Sequence, residues 1–201
     1  MASRSPLSPQ LLIYAYSNGY FPMPDPATGQ VGWFRPDPRA ILPLDQFHVS
    51  RSLRRQLNEA ARTLRVTVDQ AFKQVMEACA DRDSTWISGE FIKSYTELHQ
   101  RGYAHSIEVW DGNETLVGGV YGVAVSGAFF AESMFHRRTG ASKVALHHLV
   151  EHMRSRGMEL LEIQFMTPHL KSLGAVEISD DSYMQLLQKA LDSKSRFTAT
   201  P

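Results

Sequence analysis

The sequence predicts an α+β fold with a mainly antiparallel sheet flanked by helices, and two observations carry that prediction. From Ser106 to Phe135 the apolar pattern forms three extended stretches, separated by turns at Asp111-Gly112-Asn113-Glu114 and Ser126-Gly127. That spacing is typical of antiparallel strands joined by short turns. On either side the apolar period becomes helical, and helix and strand then alternate toward the C-terminus. A chain of 201 residues, 43% hydrophobic and 21% charged, is long enough to bury a real core at roughly 150 residues per domain.

The elements follow in order. Leu7 to Asn18 reads as a short helix stopped by Gly19, and Phe21 to Pro43 as an ordered, extended wrap, because its prolines fix φ and remove donors. Ser50 is placed to cap a helix whose Leu53, Leu57, Ala60 and Leu64 form the buried stripe, with Arg51, Arg54, Arg55 and Arg62 on another side. Val66 and Val68 predict a short strand, and Asp69 is expected to cap a helix with Phe72, Val75, Met76 and Cys79 on one face. A third helix runs from Ser88 to Gly102. After the three strands, Gly140 opens a helix with Leu146, Leu149, Val150 and Met153 on one face, closed by Gly157. A strand at Leu160 to Phe165, a short helix near Pro168, an edge strand at Val176 to Ile178 and a helix from Asp180 complete the pattern.

Charge and composition narrow the function classes. Lys plus Arg and Asp plus Glu both total 21, yet residues 1–65 hold eight Arg, no Lys and four acids. The acids dominate after residue 65, so a basic segment sits on an acidic body. The predicted organisation is a small basic Pro/Arg-rich segment over 1–65 packed on a main domain over 66–192, with a loose tail over 193–201. One cysteine, Cys79, excludes an internal disulfide framework and a thiolate zinc finger. No apolar run approaches the ~20 residues of a membrane span and no signal-like segment opens the chain, so a cytoplasmic address is expected.

Three constellations bear on chemistry. His148-Leu149-Val150-Glu151-His152 matches an inverted zinc-protease pattern, but the apolar stripe puts His148 and Glu151 on the opposite side, so a solvated face is expected and no metal is assigned. Arg137-Arg138-Thr139-Gly140-Ala141-Ser142 comes close to the loop with which acetyltransferases hold a pyrophosphate at a helix N-terminus; a glycine turn with two solvated arginines is the competing reading. Glu132 alternates with Phe130 and Met134 in one strand, and Glu162 and Gln164 share a face of another. A carboxylate in so apolar a setting is paired or functional. If the two strands are neighbours, all three polar groups converge, either on a reaction or on a structural network.

These residues fall within ordered segments that resemble one family. Phe21-Pro22, Trp33 to Leu42, Phe47 to Arg55, Thr85-Trp86-Ile87, Ala104 to Trp110, Leu116 to Ala124, Glu132-Ser133-Met134-Phe135, Ala141-Ser142-Lys143 and Ser172 to Ala175 look like leucyl/phenylalanyl-tRNA-protein transferase, collinear from about Leu7 to Tyr183. The resemblance implies an acetyltransferase-like main domain. It also implies transfer of Leu or Phe from Leu-tRNA or Phe-tRNA to the α-amine of a protein beginning with Arg or Lys, creating a degradation signal (the N-end rule).

Carried over by motif, the catalytic positions are Glu132, Glu162 and Gln164. The aminoacyl pocket is Val120, Leu146, Leu149 and Leu161; the adenosine contacts are Met23, Trp86 and Tyr95; the tRNA-binding helix presents Arg51, Arg54 and Arg55. Against the family's pattern, Met23 replaces a frequent Trp, Glu162 a usual Asp and Leu149 a frequent Phe, and the usual N-terminal glycine-rich segment and most of the C-terminal tail are expected to be lacking. Acyl transfer from an activated ester to an amine needs no cofactor, so none is expected. The alternatives are an acetyl-coenzyme A N-acyltransferase using the Arg137 to Ser142 loop, and a tRNA- or degron-binding module without catalysis.

Overall fold

In the computed structural model, residues 7–25, 28–83 and 85–198 are described; Pro26 of the proline-rich run therefore lies outside the described residues. Helix α1 (Pro9–Ser17) leads into a hairpin of β1 (Phe21–Pro24) and β2 (Val31–Phe34), then β3 (Arg39–Ile41). Helix α2 (Arg51–Thr63), β4 (Leu64–Val68), α3 (Phe72–Ala80) and α4 (Gly89–Gln100) precede the three central strands β5 (Ala104–Asp111), β6 (Leu116–Val125) and β7 (Ala128–His136). Helix α5 (Ala141–Ser155), β8 (Leu160–Gln164), α6 (Pro168–Ser172), β9 (Val176–Ile178) and α7 (Asp180–Asp192) follow. Among the described residues, no helix is long and apolar enough to cross a membrane.

The main sheet has seven strands in the order β4-β5-β6-β7-β8-β3-β9. All neighbours are antiparallel except β7 and β8, as expected where one helix, α5, returns the chain in the same direction. The two faces carry separate cores. One packs Tyr16, Phe72, Phe91, Tyr95, Tyr121, Phe130 and Tyr183 under α1, α3, α4 and α7; the other packs Leu53, Val120, Leu146, Leu149 and Leu161 under α2 and α5.

Two features of the sheet position the site. The β7–β8 ladder ends at Phe130↔Glu162, although β7 runs six residues further, so the parallel strands part and leave a gap. Inside that gap the β6–β7 register slips: Tyr121 faces Ser133 while Gly122 faces Ala131, leaving Glu132 as the extra, bulged residue. A side chain at Gly122 is impossible here, because a Cβ would stand 2.2 Å from the Phe130 carbonyl oxygen.

Several expectations are revised. The bulge breaks the alternation through Glu132: Phe130 belongs to one core while Met134 packs against the other. Asp69 is not a helix cap. Its φ is +59° and its carboxylate instead accepts from the Ser106 backbone N–H at 2.9 Å and from His105 Nδ1 at 2.6 Å, tying β4 to β5. Leu64 leaves the α2 stripe to begin β4, and residues 39–41, expected in a packed-on segment, form an inner strand of the main sheet.

Residues 199–201 lie outside the described residues, but 193–198 are not a loose tail. Phe197 is buried, its ring 4.5 Å from that of His105 and 4.4 Å from that of His152, and its carbonyl accepts from His152 Nε2 at 2.7 Å.

Candidate active site

The bulge drives the Glu132 carboxyl into the aromatic core beneath α1 and α4, where the residue is 8% exposed. Oε1 accepts two hydrogen bonds, from Tyr16 Oη at 2.6 Å and from Gln164 Nε2 at 3.0 Å. Because the single Tyr16 proton points at Glu132, the 2.5 Å contact between Tyr16 and Tyr95 hydroxyls requires Tyr95 to be its donor. Among the described residues Oε2 has no partner, and neither does the buried Tyr121 hydroxyl, which feels the Glu132 charge. Burial pushes the Glu132 carboxyl up to about 8; the bonds from Tyr16 and Gln164 oppose that rise and the charge of Glu162 adds to it. The result is a carboxyl with one anchored oxygen and one unused, titrating near neutrality.

Gln164 reaches Glu132 because it adopts φ +61° at the end of β8. Left-handed backbone is rare for a residue with a side chain. The turn also throws Phe165 outward, 46% exposed, edge-on against Phe21 at 5.8 Å.

Glu162 does not join this pair by a hydrogen bond. One oxygen accepts from Arg39 Nη2 at 2.6 Å and the other from Tyr183 Oη at 2.7 Å. Arg39 is itself fully buried, bonded to the Gly19 carbonyl at 2.7 Å, and 3.8 Å from the Tyr183 ring centroid. The three expected catalytic residues thus separate into a Glu132–Gln164 pair and a Glu162–Arg39–Tyr183 cluster.

Val120, Leu146, Leu149 and Leu161 do gather in one place, each at most 2% exposed, in the core under α5. They pack into that core directly; the neighbouring opening, of about 390 Å³, begins at Met134, which faces Val120 in the ladder. Met23 and Trp86 are half-buried, Trp86 lying edge-on to Phe91. Tyr95 departs from its expected role as an adenosine contact. It is fully buried with its hydroxyl on Tyr16. Arg51, Arg54 and Arg55 are all exposed on α2, opposite the buried Leu53 and Ala60.

Sequence reasoning missed Tyr16, Tyr121, Arg39 and Tyr183. Tyr16 and Tyr183 sit among the apolar residues of their helices, and the arginine surplus of residues 1–65 pointed to a basic surface, not to a buried guanidinium.

Among the described residues the remaining histidines form no metal centre of the inverted-protease pattern. His148 and Glu151 are exposed and His152 Nε2 is committed to Phe197. Asp69, His99 and His105 lie close together, but they are already bonded: His105 faces Asp69 at 2.6 Å and the Gly102 carbonyl at 3.1 Å, and His99 faces the Ala104 carbonyl at 2.8 Å. A larger opening of about 670 Å³ beneath residues 193–198 contains no candidate site residue.

Comparison with known proteins agrees across nearly the whole chain. Residues 41–188 match the family leucyl/phenylalanyl-tRNA protein transferase, and residues 5–37 match the N-terminal domain of the same family. A leucyl/phenylalanyl-tRNA–protein transferase of Salinibacter ruber is 53% identical over 186 residues, covering 92% of this chain and 81% of that protein. One from Herpetosiphon aurantiacus is 52% identical over 95% of this chain and 98% of its own length, and one from Akkermansia muciniphila 46% over 94% and 98%. Among solved structures, L-PGS from Bacillus licheniformis superposes with a TM-score of 0.53 at 13% identity, over 90% of this chain and 70% of that one. This last likeness is one of fold alone.

Proposed function

Since the chain belongs to the leucyl/phenylalanyl-tRNA–protein transferase family and is therefore an aminoacyltransferase, we propose that it moves Leu or Phe from tRNA to the α-amine of proteins beginning with Arg or Lys, with Glu132 as the group that meets the amine. The observation that carries this reading is the unused Oε2 of Glu132, buried and titrating at about 8. A free α-amine has a pKa of about 7.7 to 8.0, so a proton can pass between amine and carboxyl with little driving force either way.

The amine nitrogen attacks the ester carbonyl carbon, the C–O bond to the ribose breaks, and the proton lost by nitrogen passes by way of Glu132 to the leaving ribose oxygen. Gln164 and Tyr16 hold Glu132 Oε1, which leaves Oε2 directed at the amine. The cationic end of an Arg or Lys acceptor favours the ionised carboxylate as it binds. Glu162 serves this scheme as a positioning residue: with Arg39 and Tyr183 it fixes the end of β8, from which Gln164 reaches across the gap.

The aliphatic cluster of Val120, Leu146, Leu149 and Leu161 takes the aminoacyl side chain, Met23 and Trp86 flank the adenosine, and the exposed face of α2 docks the tRNA body. Single-turnover transfer from labelled Leu-tRNA to an Arg-starting peptide tests the whole. Glu132→Gln and Gln164→Ala are each expected to lower kcat while leaving tRNA affinity in place, and the double variant to lose far less than the product of the two. General acid–base assistance is typically worth about 10²- to 10⁴-fold, so losses of only two- or threefold at both positions would overturn the assignment.

A further inference from the structure

The Tyr121 hydroxyl is a buried polar group that the reaction as written does not use. Like Glu132 Oε2 it has no partner among the described residues, and Tyr121 is fully buried. The two groups lie on one face of the sheet. Tyr121 faces Ser133, the residue after the bulged Glu132, across the β6–β7 ladder, and its ring belongs to the same aromatic core as Tyr16 and Tyr95. The phenol is held above its usual range by burial first and by the Glu132 charge next.

Packing fixes where this phenol points. Its ring meets those of Phe72 and Tyr95 edge-on, at 5.9 and 6.1 Å and at 83° and 88°. A buried hydroxyl without a partner costs more than the phenylalanine that would fill the same space, so the oxygen calls for a group that it serves. Glu132 supplies one. Its Oε1 is held by two donors and its Oε2 by none. As a carboxylate Oε2 needs a donor, as an acid it needs an acceptor, and a hydroxyl is both.

We infer that the Tyr121 hydroxyl, through one bridging water molecule, partners Glu132 Oε2 in both protonation states, donating toward the carboxylate and accepting from the acid, and so sets the pH at which that carboxyl ionises. The two atoms are not bonded to one another directly, and a water-mediated bond is nearly as favourable as a direct one. Oε2 has two lone pairs, so it takes this bond and the amine together. Tyr121 keeps its own proton, since burial holds the phenol well above its usual range; its O–H turns and no proton leaves it. Tyr121 touches no reacting atom and is a positioning residue.

The other groups around the pair do not change charge with it. Burial holds the hydroxyls of Tyr16 on α1 and Tyr95 on α4 well above their usual range and pushes the Cys79 thiol of α3 up to about 12. The Arg82 guanidinium, just after α3, is a fixed charge that donates to Ser133 Oγ at 3.2 Å, and Glu162 of β8 is paired with the buried Arg39.

The inference rests on Glu132 being the group that meets the amine, and two measurements keep the two readings apart. The first does not use the reaction. In protein labelled with ¹³C-carboxyl glutamate, the Glu132 signal is the one lost in Glu132→Gln, and it is titrated by NMR in the unaltered protein and in Tyr121→Phe. The variant takes a charge-assisted hydrogen bond from the carboxylate and only a weaker, neutral one from the acid, so the midpoint is expected to rise by about one pH unit, a roughly tenfold gain in proton affinity. In the second measurement, the acid limb of kcat for transfer to an Arg-starting peptide is expected to move to higher pH in Tyr121→Phe, with KM for Leu-tRNA unchanged.

A midpoint that stays in place or falls in folded Tyr121→Phe overturns the inference; a packing role alone lowers Tm and leaves the titration where it was. Should that variant fail to fold, 3-fluorotyrosine at position 121 keeps the ring and strengthens the donor. The midpoint is then expected to fall, and an unmoved one overturns the pairing. A midpoint that rises in Tyr121→Phe while Glu132→Gln transfers at the full rate upholds the pairing and overturns Glu132 as the group that meets the amine.

Discussion

Glu132 shows what a buried carboxyl without a cationic partner costs in stability. Its carboxyl titrates near 4.5 in an ordinary setting and at about 8 here, so the folded protein holds a proton that the unfolded chain releases. Folding is therefore unpenalised below about pH 4.5, loses stability as pH rises from there toward 8, and carries the full cost above 8. At 1.36 kcal/mol per unit that cost is roughly 3–5 kcal/mol. Glu132→Gln, which keeps the shape and cannot ionise, is expected to raise Tm relative to the unaltered protein at pH 8.5 and to lose that advantage at pH 4.5. Thermal unfolding at the two pH values decides it, and an equal difference at both would mean that the buried charge is not the cause. Glu162, equally buried, differs because Arg39 and Tyr183 occupy both of its oxygens; removing one partner of such a pair typically costs about 3–5 kcal/mol. Nothing in the spacing of Glu162 and Gln164 told these two carboxylates apart, since the partners that do so come from residues 16, 39 and 183.

At the scale of the element, helices were legible wherever period and cap agreed. Ser50 accepts from the Leu53 N–H at 3.1 Å and Ser88 from the Phe91 N–H, and Gly102, Gly140 and Gly157 all adopt positive φ at helix ends. Strand existence was legible too, but not the slip at Glu132, because a bulge leaves the alternating pattern intact in sequence and shows only in the partner's register. Asp69 failed as a cap for a related reason: its ligands, Ser106 N and His105, are supplied by a strand more than 30 residues away. Helix α2 bears the clearest quantitative test. Removing a single phosphate interaction should lower the slope of log K against log salt by about 0.7 to 0.9, so Arg51→Ala with Arg55→Ala is expected to flatten the salt dependence of Leu-tRNA binding by roughly 1.4 to 1.8. A slope unchanged across a salt titration would place the tRNA body elsewhere.

For the molecule as a whole, sequence pattern predicted the class of fold and the family motifs predicted the reaction, while the route by which the first 65 residues join the rest stayed hidden. They were expected to lie on the main domain, yet Arg39 to Ile41 stand inside the sheet and Tyr16 and Arg39 inside the site. A three-residue strand rich in neighbouring prolines carries too little pattern to be read as an inner strand, and its identity comes from the two strands that flank it. At the other end, Phe197 was invisible as a core residue for the same reason: its partners His105, Phe129 and His152 belong to three different elements.

The position of β3 between β8 and β9 also sets an order of events in time. Ala40 pairs with Gln164 on one side and Glu177 on the other, so a segment made early in synthesis waits for partners more than 120 residues downstream. At about 5–20 residues per second, that wait is roughly 6 to 25 s, during which the β4–β7 meander, whose contacts are local, can already close. The Gln164 carboxamide and the Glu162 carboxylate are then brought into place in the same late step that captures β3. In a pulse-labelled refolding experiment, the amides of residues 40–42 and 162–164 are expected to gain protection together and after those of β5 and β6. Early, independent protection at residue 41 would mean that the N-terminal segment docks without waiting for β8 and β9 to form.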